Sequence, residues 1–460
     1  MNLSTVTLKM NREAVRARSG TGITGILAIA CTAVGSAIAF LLAGGTWMFW
    51  QRSKAAENVA GVGGASMYWF DLAVIACALL IPALFNLTAQ AAVAGAAGKE
   101  RRLATLRLIG LSAHNVVRMG AVETAFQSGV GIVLGGMLSV LIAPVFTHVS
   151  FQDHPVEPQE IILPWWGYVM VAAVLLSLAV GASLAGLRRV SVSPLGVARR
   201  QVPSQRLWVQ VVVGAATAIA AFYIDRTVDP GQDVRLILAI VAPILLIGVA
   251  LNFFAPPVVG LIARATSVFP GGASFIATRR VIANPKIIWR RVSAIVLLSF
   301  LAGYLVCVLL VTDSTFSEED EVSRILFQDV ATGSILIVIF GFVMALMSIL
   351  VGQVNGVLED AHLSRSMHSI GVPRRLSFWA NFWETMGPAI ILGLIGFAFG
   401  GLLSLAMLGK VVADSSTTDI IARVSFALSL LFAGWTAIAL SLAAVEPLRS
   451  TILHDTRRKE

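Results

Sequence analysis

Two charged stretches, each held between apolar runs long enough to cross a bilayer, constrain this chain more than any other feature. The first, Lys99 to Ala125, reads KERRLATLRLIGLSAHNVVRMGAVETA. Arg101, Arg102, Arg107 and Arg118 are too costly to place in hydrocarbon, yet Leu103, Leu106, Ile109 and Leu111 recur at helical spacing. That combination predicts a short amphipathic helix lying at a membrane face, with Gly110 as its C-terminal stop. The second stretch, Leu358 to Ile390, repeats the first. Ile109-Gly110 recurs as Ile370-Gly371, Glu123 as Glu384 and Gly135 as Gly396, all at one constant offset. An internal repeat in a membrane chain implies two similar halves about a pseudo-twofold axis.

The composition fits a membrane chain. Of 460 residues 57% are hydrophobic and only 13% charged, which belongs to the α-helical membrane class and excludes an ordinary soluble domain. Cys31, Cys77 and Cys307 fall inside apolar runs, with neither disulfide framework nor metal-ligand spacing. A net charge of +9 would suggest nucleic acid in a soluble protein; here it reads as the Lys/Arg excess of cytoplasmic loops, and no nucleic-acid partner is expected. The first apolar run exceeds the core of a signal peptide and lacks a small-residue cleavage site, so it is expected to span.

Hydropathy places ten spans at about 21–49, 67–95, 121–146, 164–187, 207–224, 235–262, 292–312, 330–356, 380–408 and 420–444. Pro243, Pro256 and Pro257 predict a kinked or early-ending sixth span. The segments between spans alternate: basic on one side, short and acidic (147–163, 313–329) on the other. Most of the 34 Lys and Arg residues fall on the first side, which predicts cytoplasmic chain ends. The expected fold is thus an all-α membrane protein of about ten transmembrane helices in a 4+2+4 arrangement. It has a first four-span unit (1–200), a two-span linker (201–264) and a second unit (265–460), with no large extracellular domain. An even-numbered linker makes the repeat parallel.

The halves share further marks. A basic segment precedes each first span, Lys9 to Arg18 and Arg279 to Arg291, and the fourth spans exit into Pro194-Leu195 and Pro447-Leu448. A basic cluster, then LxxLxxIG, then a helix opening with Glu and rich in glycine resembles the FtsX-like permease family of ABC transporters, the group of MacB, LolC/LolE and BceB. The resemblance implies a permease without its own ATPase, whose cytoplasmic coupling elements dock a separate ABC ATPase. On the first element it implies Arg101, Arg102, Leu103, Leu106, Arg107, Ile109, Gly110 and Leu111 as the docking residues. On the second it implies Met367, Ile370, Gly371, Val372 and Arg374. Consistently, no G-x-x-x-x-G-K-[ST] loop is present; Gly98-Lys99 and Gly409-Lys410 continue into Glu and Val. With two units in one chain, two ATPase copies are expected, with ATP and magnesium on the partner and no cofactor or metal on this chain. The second element has lost most of its basic cluster, so the two contacts should be unequal.

Each candidate residue also has a plainer reading. The arginines of the first element serve as membrane-face anchors if no partner docks, although the apolar stripe Leu103, Leu106, Ile109 suits a partner groove. Glu123 and Glu384 are ionisable groups near spans, hence functional candidates. Their expected place at helix starts favours anchoring at the positive end of the helix dipole. Asp71, beside Trp69 and Phe70, reads as an interfacial acid. Gly131, Gly135, Gly396 and Gly400 have small-xxx-small spacing, which explains them as helix-packing positions. The run Glu318 to Glu321 reads as a solvated loop, and His362 and His368 as polar helix positions. The expected function is therefore a non-catalytic permease subunit in a bacterial cytoplasmic membrane. It would couple a partner's ATP hydrolysis to export or extraction of an amphipathic compound: an antimicrobial peptide, lipid or hydrophobic drug. The alternative is a mechanical module that transports nothing and regulates an envelope partner.

Overall fold

A computed structural model describes residues 20–56, 66–97, 113–191, 253–266, 271–308, 321–359, 373–414 and 417–454. The elements are α1 (Gly20–Ala56), α2 (Ser66–Ala97), α3 (Ala113–Ile142) and a 3-10 turn (Ala143–His148). Next come β1 (Ser150–Phe151), β2 (His154–Pro155), α4 (Pro158–Ile161) and α5 (Trp165–Ser191). There follow α6 (Phe253–Thr266), α7 (Gly272–Ala283), α8 (Pro285–Val308), α9 (Glu321–Glu359), α10 (Arg374–Asp414) and α11 (Thr417–His454). Hydrocarbon offers backbone N–H and C=O groups no partner, so apolar runs of this length satisfy them internally as helices. Among the described residues eight helices are long and apolar enough to cross a membrane. The expected fifth span, and the sixth up to residue 252, lie outside the described residues; α6 carries Pro256 and Pro257 within a shorter apolar helix.

Several helices run past their expected ends. Helix α10 has 41 residues, about 61 Å at 1.5 Å per residue, twice the thickness of a bilayer's hydrocarbon core. Hydropathy marks where lipid ends, whereas intrahelical hydrogen bonds continue through the interface as long as no breaker intervenes. For the same reason α8 begins at Pro285 rather than near 292, which takes Arg290 and Arg291 into the helix.

The two units have one packing pattern. In the first, α1 packs against α2 and α3, and α5 against α2 and α3. In the second, α8 packs against α9 and α10, and α11 against α9 and α10. The units meet mainly along α2 and α9, where Leu80 and Leu87 of α2 join Met344 and Val351 of α9 in a buried cluster with Cys31 and Ile38 of α1. Large apolar side chains point outward, among them Val133, Met137 and Leu141 on α3 and Phe399 and Leu402 on α10. On a membrane helix this is the lipid-facing surface.

Aromatic groups mark both membrane faces. Near the end of α1, Trp47 stacks on Trp50 (4.6 Å between centroids) and meets Trp166 edge-on (5.2 Å), with Lys54 Nζ 3.9 Å over Trp50. Near the start of α10, Phe378, Trp379, Phe382 and Trp383 form a second group. Such belts sit where apolar rings and polar tips both find their medium. The first face is the hairpin end of the molecule, named for the ribbon at 150–155, and the second its basic end.

The expected loop 147–163 is structured. Its 3-10 turn leads into a ribbon with register Ser150↔Pro155 and Phe151↔His154. The turn residues Gln152 and Asp153 both have φ 59°, the left-handed backbone of a type I′ hairpin turn. That conformation costs a non-glycine residue such as Gln152 about 1–2 kcal/mol, so surrounding contacts must hold it. Arg52 of α1 supplies some of them. Its Nη1 donates to Phe151 O at 2.9 Å, and its Nη2 pairs with Glu160 Oε2 at 2.6 Å. The expected loop 313–329 is likewise shorter, because α9 starts at Glu321 and carries Asp329 as a buried helical residue.

Candidate coupling site

Of the expected docking residues, Arg101, Arg102, Leu103, Leu106, Arg107, Ile109, Gly110 and Leu111 lie outside the described residues, as do Met367, Ile370, Gly371 and Val372. Arg374 opens α10. His362 and His368, and the Gly110 helix stop, also fall outside. What the fold does establish is the pair of helices flanking each stretch. The first connects the end of α2 at Ala97 to the start of α3 at Ala113; the second connects α9 at Glu359 to α10 at Arg374. In each unit, the stretch thus joins the helix at the contact between units to the helix packed on its unit's first span.

Glycine brings those latter pairs close. A Cβ at Gly135 of α3 would collide with Ser36 Oγ of α1 and stand 2.5 Å from Ala33 O and 2.9 Å from Ala37 N. At Gly131 it would meet Thr32 Oγ1 at 2.5 Å. In the second unit a Cβ at Gly396 would lie 2.9 Å from Val296 O, and one at Gly400 would run into Phe300 O and lie 2.9 Å from Tyr304 N. Gly303, facing from α8, meets Phe397 O in the same way. These are contacts of backbone on backbone, the approach that small residues permit between membrane helices.

The two repeated carboxylates do not sit at helix starts. Each is the eleventh residue of its helix, Glu123 in α3 and Glu384 in α10, because both helices begin before the hydropathy boundary. Anchoring at the first turn is therefore not their role. Glu123 is buried, at 7% exposure. Glu384 holds two arginines: Arg280 of α7 (Nη1 to Oε2, 3.2 Å) and Arg291 of α8 (Nη1 to Oε1, 3.5 Å). Asn381 Oδ1, one turn earlier, also accepts from Arg280 Nη1 at 2.7 Å. Arg291 reaches the carboxylate along α9, where a Cβ at Gly352 would lie 3.2 Å from its Cγ and one at Gly356 2.6 Å from its Nη2. An ionisable group within a span finds its counter-ion inside the bundle. Here one carboxylate ties α7 and α8 to α10, while Gln353 Nε2 of α9 donates to Thr385 Oγ1 at 3.0 Å.

Polar groups also cross between units near this end. Gln90 Nε2 of α2 donates to Ser348 Oγ (2.6 Å) and to Arg290 O (3.2 Å); Asn86 Nδ2 donates to Ser293 Oγ (2.7 Å). Sequence reasoning noted Arg279 to Arg291 only as a shared basic segment. It did not reach these pairings, whose partners stand far apart in the chain. The recurrence of Glu at one repeat position was the available clue.

The geometry defines a class: an α-helical multi-pass membrane protein of two similarly packed units. Within it, residues 72–195 match the family model of the FtsX-like permease C-terminal domain. Over those residues the chain is similar to the FtsX-like permeases, a family of permease-type membrane subunits of ABC transporters that work with an ABC ATPase partner. The match begins within α2, takes in the first charged stretch, Glu123 and α5, and ends on Pro194-Leu195. No curated protein matches the chain.

Proposed function

We propose that this chain is the whole transmembrane body of an ABC transporter, binding two ATPase copies at Lys99 to Ala125 and Leu358 to Ile390 and driving an amphipathic compound out of the membrane. The carrying observation is the repeated connection: each stretch leads from a helix at the contact between units to a helix locked by glycine onto its unit's first span. A push on the stretch therefore acts on the unit boundary and on a rigid helix pair together. ATP and magnesium belong to the partner, and the basic end faces the cytoplasm, as the Lys/Arg asymmetry indicates. Spans with few free charges and an apolar exterior suit a lipid, hydrophobic drug or amphipathic peptide better than a small ion.

Co-purification tests this reading. The tagged chain, expressed with a candidate ATPase and extracted in mild detergent, is expected to retain two ATPase copies. The double variant Leu106→Asp, Ile109→Asp places charge in the apolar docking stripe, so loss of one copy is expected, with the second weakly held. Failure of every candidate ATPase to associate would overturn the docking reading. ATP turnover in the complex without flux of any amphipathic compound would overturn transport in favour of mechanical signalling.

A further inference from the structure

At the hairpin end the first unit grips the second through one carboxyl oxygen. Asp329 Oδ2, on α9, accepts a hydrogen bond from Trp69 Nε1 of α2 at 2.6 Å and from the Gln152 backbone N–H at 2.8 Å. Trp69 is 2% exposed and Asp329 8%, so both side chains are withdrawn from water, while Gln152 is half-buried. The left-handed turn at Gln152 and Asp153 presents that amide to α9, and Arg52 fixes the hairpin to α1 from behind. Beside the contact, Phe49, Phe151 and Val156 of the first unit pack in one apolar cluster with Ile325, Leu326 and Phe340 of α9. Among the described residues the second unit has no counterpart; its α10 and α11 are separated by residues 415 and 416.

We propose that this contact is the latch of a gate between the two units, with Asp329 holding the hairpin end closed and the units parting there when it releases. The polarity of the contact suits a latch. Two hydrogen bonds converge on one oxygen, from α2 and from the hairpin, and both are replaced by bonds to water when the first unit parts from α9. Arg52 keeps the hairpin on its own unit, so the units would part at the boundary to α9. The gate rests on two units that move against each other, but its test needs no ATPase. Its failure is therefore distinct from failure of the docking reading.

The test is thiol accessibility in the full chain in lipid nanodiscs, with Cys31, Cys77 and Cys307 changed to alanine and one reporter added. Val156→Cys reports on the hairpin seal. Leu80→Cys reports deeper, from the α2 surface buried against Met344 of α9. A membrane-impermeant maleimide is expected to label both slowly. Asp329→Ala should raise both rates roughly tenfold, by increasing the share of open molecules, and Trp69→Phe should raise both by less. A hairpin that merely rests on Asp329 would free the Val156 reporter alone, and that result overturns the gate. Unchanged labelling at both overturns it too. Trp69→Phe keeps an aromatic ring at the site, though a smaller one, and removes one donor, so it decides the question should Asp329→Ala fail to fold.

Discussion

Gly400→Leu is expected to prevent the second unit from assembling, seen as loss of a monodisperse detergent-solubilised peak and of a cooperative thermal transition. The obstacle on α8 is backbone: Phe300 O and Tyr304 N cannot rotate aside as a side-chain tip would. Even Gly400→Ala should cost about 1–3 kcal/mol through forced separation of α8 and α10. In a bilayer the loss matters more, because lipid tails are as apolar as leucine and close packing itself drives helix association. The neighbouring glycine is the control. A Cβ at Gly401 would stand 3.8 Å from Gly303 O, an ordinary contact. Gly401→Ala should therefore be neutral or slightly stabilising, since alanine gains up to about 1 kcal/mol over glycine within a helix. If both alanine variants melt alike, the close crossing does not carry the unit.

Glu384→Leu is the second large loss expected. It removes the counter-ion shared by two guanidinium groups, with side-chain exposures of 19% (Arg280) and 12% (Arg291). Breaking a buried pair from one side costs about 3–5 kcal/mol, chiefly the desolvation of the charge left behind. Against a typical stability of about 5–15 kcal/mol, that is enough to lower the thermal midpoint clearly. The diagnostic variant replaces the cluster whole. Arg280→Met, Arg291→Met and Glu384→Leu together should recover much of the loss, because none of these three charges then remains buried. A triple variant as unstable as the single one would mean that Glu384 acts through contacts other than these arginines.

The class of protein was legible in the chain itself. Runs of apolar residues in lipid have one backbone solution, the helix, so the positions of the eight described spans and the sequence repeat follow from local pattern. The glycines at 131, 135, 396 and 400 could be singled out for the same reason, since their spacing is a property of one helix face. Helix ends were less legible: α3, α8 and α10 start before the hydropathy boundary, because hydrogen bonding rather than hydrophobicity decides where a helix stops. Which charges pair belongs to tertiary structure alone. Glu384 meets arginines 93 and 104 residues earlier, and Asp329 meets a tryptophan 260 residues away. Nothing local encodes such distances. Hydropathy placed Glu384 and Asp329 near a membrane face; only the packing of α7 and α8 on α10, and of the hairpin on α9, made one a tie within a unit and the other a contact between units.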